Sequence, residues 1–217
     1  MKTKGTLIIL SLVLFSSCIV KSLQPFYTKD SLSFNKNLVG NWVDNKNGEW
    51  MVASIKTKFK EDTKEGVTMS KEELELYETY KKGYYITYLK NEKEASFIAM
   101  PFKINNHFFI DFIPLEIEDD DINSLAAKHL IKTHSVAKID IDSSSNISFS
   151  WLSQERLTDL IDTNKIRLEH EKIGFEADLL LTATSKELYA FLKKYMKLEI
   201  EDKWKKADMI TLTKTKL

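Results

Sequence analysis

Asp111 stands inside an apolar run, between Phe109 and Ile113. A carboxylate so placed must find a hydrogen-bonding partner if it is buried, and a buried acid with a perturbed pKa can serve general acid–base catalysis or the orientation of a bound molecule. Two imidazoles, His129 and His134, follow it on a stretch that reads as a strand over 129–141. They are five residues apart, so on that strand they project from opposite faces and cannot share a metal ion through it alone. His129 falls on the apolar parity with Ile131, Ala137 and Ile139, whereas His134 falls with Lys132 and Lys138. Convergence of Asp111 and His129 in a cleft is the one acid–base arrangement the sequence offers. A hydrogen-bonded structural role is the simpler expectation for each.

The acidic segment 116–121 invites a calcium reading and fails it. Aligned as a calcium-binding loop from Asp119, it has Ser124 where glycine is needed and Leu130 where a bidentate glutamate is needed. A second alignment, from Asp140, fails at Ser145 and Trp151. A solvated acidic loop is expected instead. The sequence has no glycine-rich phosphate loop, no nucleophile elbow and no His-Glu-x-x-His, so neither a metal, nor a cofactor, nor an enzymatic activity is expected. Trp42, Trp50, Phe102, Phe109 and Trp151 would either line an apolar pocket or pack as core, and packing is the simpler expectation.

The chain has 217 residues, with 32 basic and 32 acidic side chains. No basic excess exists to capture nucleic acid. Lys2 and Lys4 precede an uncharged apolar run at 6–15 (TLIILSLVLF), and Ser16 and Ser17 then lead to Cys18. These are the three parts of a secretory signal. The apolar run is about half the roughly 20 residues that span a bilayer. Cys18 is the only cysteine, which rules out an internal disulfide and any cysteine-based metal site. Removing 1–17 takes away two lysines and no acid, leaving a small acidic excess.

The elements follow from periodicity. Residues 18–37 show no sustained period and read as a tether. Residues 38–59 read as a hairpin turning at 45–48 (NKNG). The charged excursion near 60–82 contains a helix opened by Ser70 and Glu73, a capping box. Residues 97–113 give a hairpin about Asn105-Asn106 that pairs Ile104 with His107, Phe102 with Phe109, Met100 with Asp111 and Ile98 with Ile113. Both faces of that ribbon are apolar, so each is expected to be covered. Pro101 cannot donate to a ladder and marks an edge or a bulge. Further strands are expected at 147–151, within 166–182 and at 208–216. Helices are expected from Ser153 and, behind the capping box Thr184 to Glu187, through Leu188, Phe191, Leu192 and Tyr195.

Two resemblances join these readings. Residues 14–18 (LFSSC) resemble the lipobox of bacterial lipoproteins, with Phe15 where the pattern usually has leucine. The resemblance implies a diacylglycerol on the Cys18 thiol and cleavage ahead of it. It also implies a membrane-anchored, periplasm-facing place in the cell envelope. The segments 23–28, 38–42, 102–104, 107–111 with Pro114, 129–130 with His134, 151–152 and 181–188 resemble small bacterial lipoproteins of uncharacterised function. Here the excursion near 60–82 is longer than in that group, and Pro101 replaces an apolar residue. Gly40-x-Trp42 is similar to the opening of lipocalin-type barrels, in which the tryptophan plugs one end. The expected fold is therefore mainly β: a strongly curved antiparallel sheet or lipocalin-like barrel over 38–217, with two or three peripheral helices. The expected function is non-catalytic binding, either of an apolar small molecule inside the barrel, with Trp42, Asp111 and His129 as candidate contacts, or of an envelope protein. A purely structural or assembly role with a fully packed barrel is the alternative, and an enzyme with an unrecognised site the second.

Overall fold

The computed structural model describes residues 19–64, 69–115, 130–174 and 177–215. Its strands are β1 (Lys21–Ser22), β2 (Gly40–Asp44), β3 (Glu49–Ser54), β4 (Tyr84–Lys90), β5 (Lys93–Ile104), β6 (His107–Pro114), β7 (Ser135–Ile141), β8 (Ile147–Leu152), β9 (His170–Ile173), β10 (Asp178–Leu181) and β11 (Trp204–Lys214). The described helices are α1 (Ile55–Lys64), α2 (Lys71–Tyr80), α3 (Gln154–Asp162) and α4 (Ser185–Tyr195). Strands β2 to β8 form an antiparallel meander, and β11 closes it between β8 and β2 into an eight-stranded barrel. The fold is thus the closed, lipocalin-like form of the curved sheet that the alternation implied. β1, β10 and β9 form a separate three-stranded sheet.

The β5–β6 ribbon has the register read from its alternation, with Met100 opposite Asp111 and Phe102 opposite Phe109. Asn105 takes a φ of 53° to make the turn, a conformation asparagine tolerates. Both faces of the ribbon are covered. Ala99, Ile110 and Phe112 join Trp42, Trp50, Phe149 and Trp151 in the barrel interior. Met100, Phe102, Ile104 and Phe109 face outward, under Phe26, Leu157, Leu181, Leu188 and Leu192. Pro101 stays in register with Ile110, without a bulge. It lies beyond the end of the β4 ladder at Ala99, and its carbonyl accepts from the Ser33 amide at 2.9 Å.

Three expectations are corrected. Residues 19–37 are not a free tether. Val20, Ser22 and Phe26 are buried, and β1 pairs with β10. The apolar side chains of this aperiodic stretch cover the outer face of β5 and β6, which a sheet periodicity cannot reveal. The second strand of the first hairpin stops at Ser54 and not at Phe59, because the β3–β4 ladder ends at the pair Ser54–Tyr84. Ile55 and Phe59 then serve a helical face, where Phe59 stacks on Tyr77 with centroids 3.8 Å apart. Strand β7 begins only at Ser135, and its supposedly charged parity is partly covered, since His134 and Val136 are buried. The acidic segment 116–121 lies outside the described residues.

Candidate functional site

Asp111 is wholly buried on the outward face of β6. One carboxylate oxygen meets Nδ1 of His134 at 2.6 Å, and the other accepts the backbone N–H of Phe26 at 2.8 Å. The β6–β7 register explains the pairing: Asp111 lies opposite Val136, and His134, two residues earlier, shares that face. His134 is in turn held by its backbone. Its N–H donates to the Ser22 carbonyl at 2.8 Å, and its carbonyl accepts from the Ser22 N–H at 2.9 Å. The result is a clasp in which one buried carboxylate ties β6, β7 and the N-terminal segment together. Burial pushes the Asp111 carboxyl above its ordinary range, against the opposing pull of the His134 ring and the Phe26 amide. Burial also raises the neighbouring Tyr27 hydroxyl, and the Asp111 carboxylate adds to that rise.

The sequence singled out Asp111 correctly as a group that needs a partner, but the partner is His134. His129 lies outside the described residues. Nothing along the chain marks His134 as the partner until the β6–β7 register is known, because Lys132 and Lys138 make its parity look solvated. The chemical capacity of the pair is limited by its own bonds. Both Asp111 oxygens and His134 Nδ1 are committed to the fold.

Trp42 is buried in the barrel interior, where its indole N–H donates to the Leu38 carbonyl at 3.0 Å. Lys214 stands 5.4 Å from the centroid of its ring. The five aromatic residues do not line one pocket. Trp42, Trp50 and Trp151 belong to the interior, while Phe102 and Phe109 belong to the outer layer. The interior is filled by ring contacts from strand to strand: Trp50 to Phe149 at 5.9 Å, Phe149 to Phe112 at 5.8 Å and Phe112 to Trp151 at 6.3 Å. Asp44 takes up the interior beside Trp50. It accepts from the amides of Lys46 and Gly48 at 2.7 and 2.8 Å and from the Trp50 indole at 2.9 Å.

Two open spaces among the described residues lie outside the barrel. A groove of about 1090 Å³ runs between residues 164–171 and α4. Ile166, Leu168, Phe191 and Tyr195 give it apolar walls, and Lys165, Arg167 and Lys194 stand at it with Glu169, Glu171 and Glu187. The Tyr195 hydroxyl is buried and has no hydrogen-bond partner among the described residues. Burial pushes this hydroxyl up to about 12, although the Arg156 charge pulls the other way. A smaller space of about 250 Å³ lies under the α1–α2 hairpin, against Tyr85 and Ile98 of the barrel wall. Among the described residues no cluster of three or more His, Cys, Asp or Glu side chains is placed to hold a metal ion. No described helix is long and apolar enough to cross a membrane.

Compared with known protein families, with curated proteins and with solved structures, the chain matches none of them.

Proposed function

We propose that this chain is a non-catalytic envelope lipoprotein, anchored through lipid on Cys18, whose barrel serves as a scaffold for an outer groove that binds an apolar or amphiphilic molecule. The anchor rests on the signal-like residues 1–17 and on the position of the sole cysteine. Cys18 itself lies outside the described residues. The observation that carries the binding reading is the contrast between the two spaces. The barrel interior is filled by Trp50, Phe112, Phe149 and Trp151. The groove against α4 has apolar walls of Ile166, Leu168 and Phe191 and a rim of mixed charge. The commitment of Asp111 and His134 to the clasp speaks against their acting on a substrate.

A structural or assembly role is the second reading, and the filled interior favours it over carriage inside the barrel. In that case the partner is an envelope protein. Native mass spectrometry of the mature protein, extracted gently from its own membrane, separates the two. A small apolar molecule released on unfolding, and lost when Ala190→Trp fills the groove, supports the binding reading. A clean mass with no guest overturns it and leaves the assembly role.

A further inference from the structure

The chain that follows Cys18 has no slack. Ile19 forms a bridge with Ser153, Val20 is 1% exposed and Ser22 is fully buried. Ser22 exchanges two backbone hydrogen bonds with His134, and the Leu23 amide donates to the Leu181 carbonyl at 3.0 Å. Consecutive Cα atoms stand about 3.8 Å apart, so a lipid on residue 18 is attached one residue from a fixed point on the barrel. The polar layer of a bilayer is about 5–8 Å thick on each side, half the difference between its full and hydrocarbon thickness. Even with the thioether arm of the lipid added, the leash is about as long as that layer is deep, so the domain cannot stand clear of it.

We propose that the domain sits directly on its bilayer, with the surface around Ile19 pressed to the lipid headgroups; this rests on the lipidation of Cys18. That surface comprises Ser153, the exposed Glu155 in the first turn of α3, and the turn at 196–203. The Ser153 amide donates to the Lys203 carbonyl at 3.2 Å, which places the turn beside the anchor point. The Lys203 ammonium donates to the carbonyls of Leu198 at 2.8 Å and Met196 at 3.2 Å, stapling the turn in place. Leu198, within it, is 45% exposed. The turn carries Lys197 and Lys203 against Glu199, Glu201 and Asp202. Attraction to anionic lipid therefore does not set the contact; the leash does.

The same geometry puts the groove near the bilayer. Ser22 pairs with Leu181, and Leu181 pairs with His170 on the groove wall. Two strand spacings of about 4.8 Å put His170 roughly 10 Å from Ser22 across the sheet. An apolar guest could pass from the leaflet into the groove over that short span.

Because Cys18 is the only cysteine, an introduced one is the sole free thiol of the acylated protein. Leu198→Cys and Glu155→Cys place a nitroxide on the proposed surface. Ser144→Cys places it in the turn at the other end of β8, a six-residue strand of about 20 Å. The acylated proteins are reconstituted in phosphatidylcholine vesicles, with and without phosphatidylglycerol. Accessibility to oxygen relative to a water-soluble nickel chelate is expected to rise several-fold at 198 and 155 over 144, equally in both lipids. Ten Gly/Ser residues inserted between Cys18 and Ile19 should abolish the rise. Labels at 198 and 155 that match the same chain begun at Ile19 overturn the direct mounting, as does a rise that survives the insertion. The mass of the N-terminal peptide tests the premise separately. No diacylglycerol on Cys18 sinks the lipoprotein reading itself, whereas diacylglycerol with water-exposed labels sinks only the mounting.

Discussion

Asp44 and Asp111 are the two buried carboxylates among the described residues, and the barrel satisfies them in opposite ways. Asp44 is served by its own hairpin: its partners Lys46, Gly48 and Trp50 all lie within six residues of it. The turn that creates the carboxylate's position also delivers its donors. Asp111 is served from 23 residues away by His134 and from 85 residues away by Phe26. Its bonds exist only after β7 and the N-terminal segment have docked. The first carboxylate reports on one turn, and the second on whether three distant pieces of chain are assembled.

Breaking the distant set should cost more. Asp111→Ala leaves a buried imidazole and a buried amide without their acceptor, and is expected to lose about 2–6 kcal/mol, roughly 1–3 for each group left unpaired. Urea denaturation measures the loss. Limited trypsin digestion should also show faster cleavage within residues 19–38, since Phe26 is no longer held. An unchanged digestion pattern would mean that apolar packing of Val20 and Phe26 alone fixes the segment.

Asp44→Ala should cost less, about 1–3 kcal/mol, because residues 45–47 of its turn are exposed and water can replace the carboxylate, with digestion of residues 19–38 unaltered. Gly48→Ala tests the same turn sterically. A Cβ at Gly48 would stand 2.3 Å from the Tyr88 ring and 2.6 Å from an Asp44 oxygen. The expected loss is about 1–3 kcal/mol by overpacking. Combined with Asp44→Ala it should be less than additive, because the carboxylate is one of the two obstacles. Full additivity would show that Tyr88 alone sets the penalty.

The same contrast decides what was legible in the sequence. The NKNG turn after Asp44 and the Asn105-Asn106 hairpin could be read because their determinants are neighbours in the chain. The capping boxes at Ser70 and Thr184 could be read for the same reason, and both form. The Asp111–His134 pair could not, because it depends on a β6–β7 register separated by residues 115–134. The packed N-terminal segment was also hidden. Val20 and Ser22 alternate only across the two-residue β1, Phe26 lies in irregular chain and Leu38 ends a short 3-10 turn, so no sustained period marks these anchors. The groove against α4 shows no sequence signal either: Ile166, Leu168 and Phe191 look like ordinary core positions.

The smallest expected effect is also the sharpest discriminator. Burial raises the folded-state pKa of Asp111 above the ordinary 3.8. Its contribution to stability is therefore present below pH 3.8 and fades as pH rises through the raised value. Asp44 behaves in the reverse sense. Burial opposes its ionisation, but the Trp50 indole, the Gly48 and Lys46 amides and the Lys90 charge outweigh it and hold the carboxyl below 3.8. Its contribution is present above pH 3.8 and fades as pH falls through the lowered value. Urea midpoints measured from pH 2.5 to 7 should therefore respond to the two amide variants on opposite sides. Asp111→Asn should flatten the slope above about pH 4, and Asp44→Asn the slope below it, each by about 1.4 kcal/mol for every unit of displaced pKa. If Asp111→Asn instead alters only the acid limb, the carboxylate is stabilised more by His134 and the Phe26 amide than burial destabilises it. The distant clasp would then be as well satisfied as the local turn.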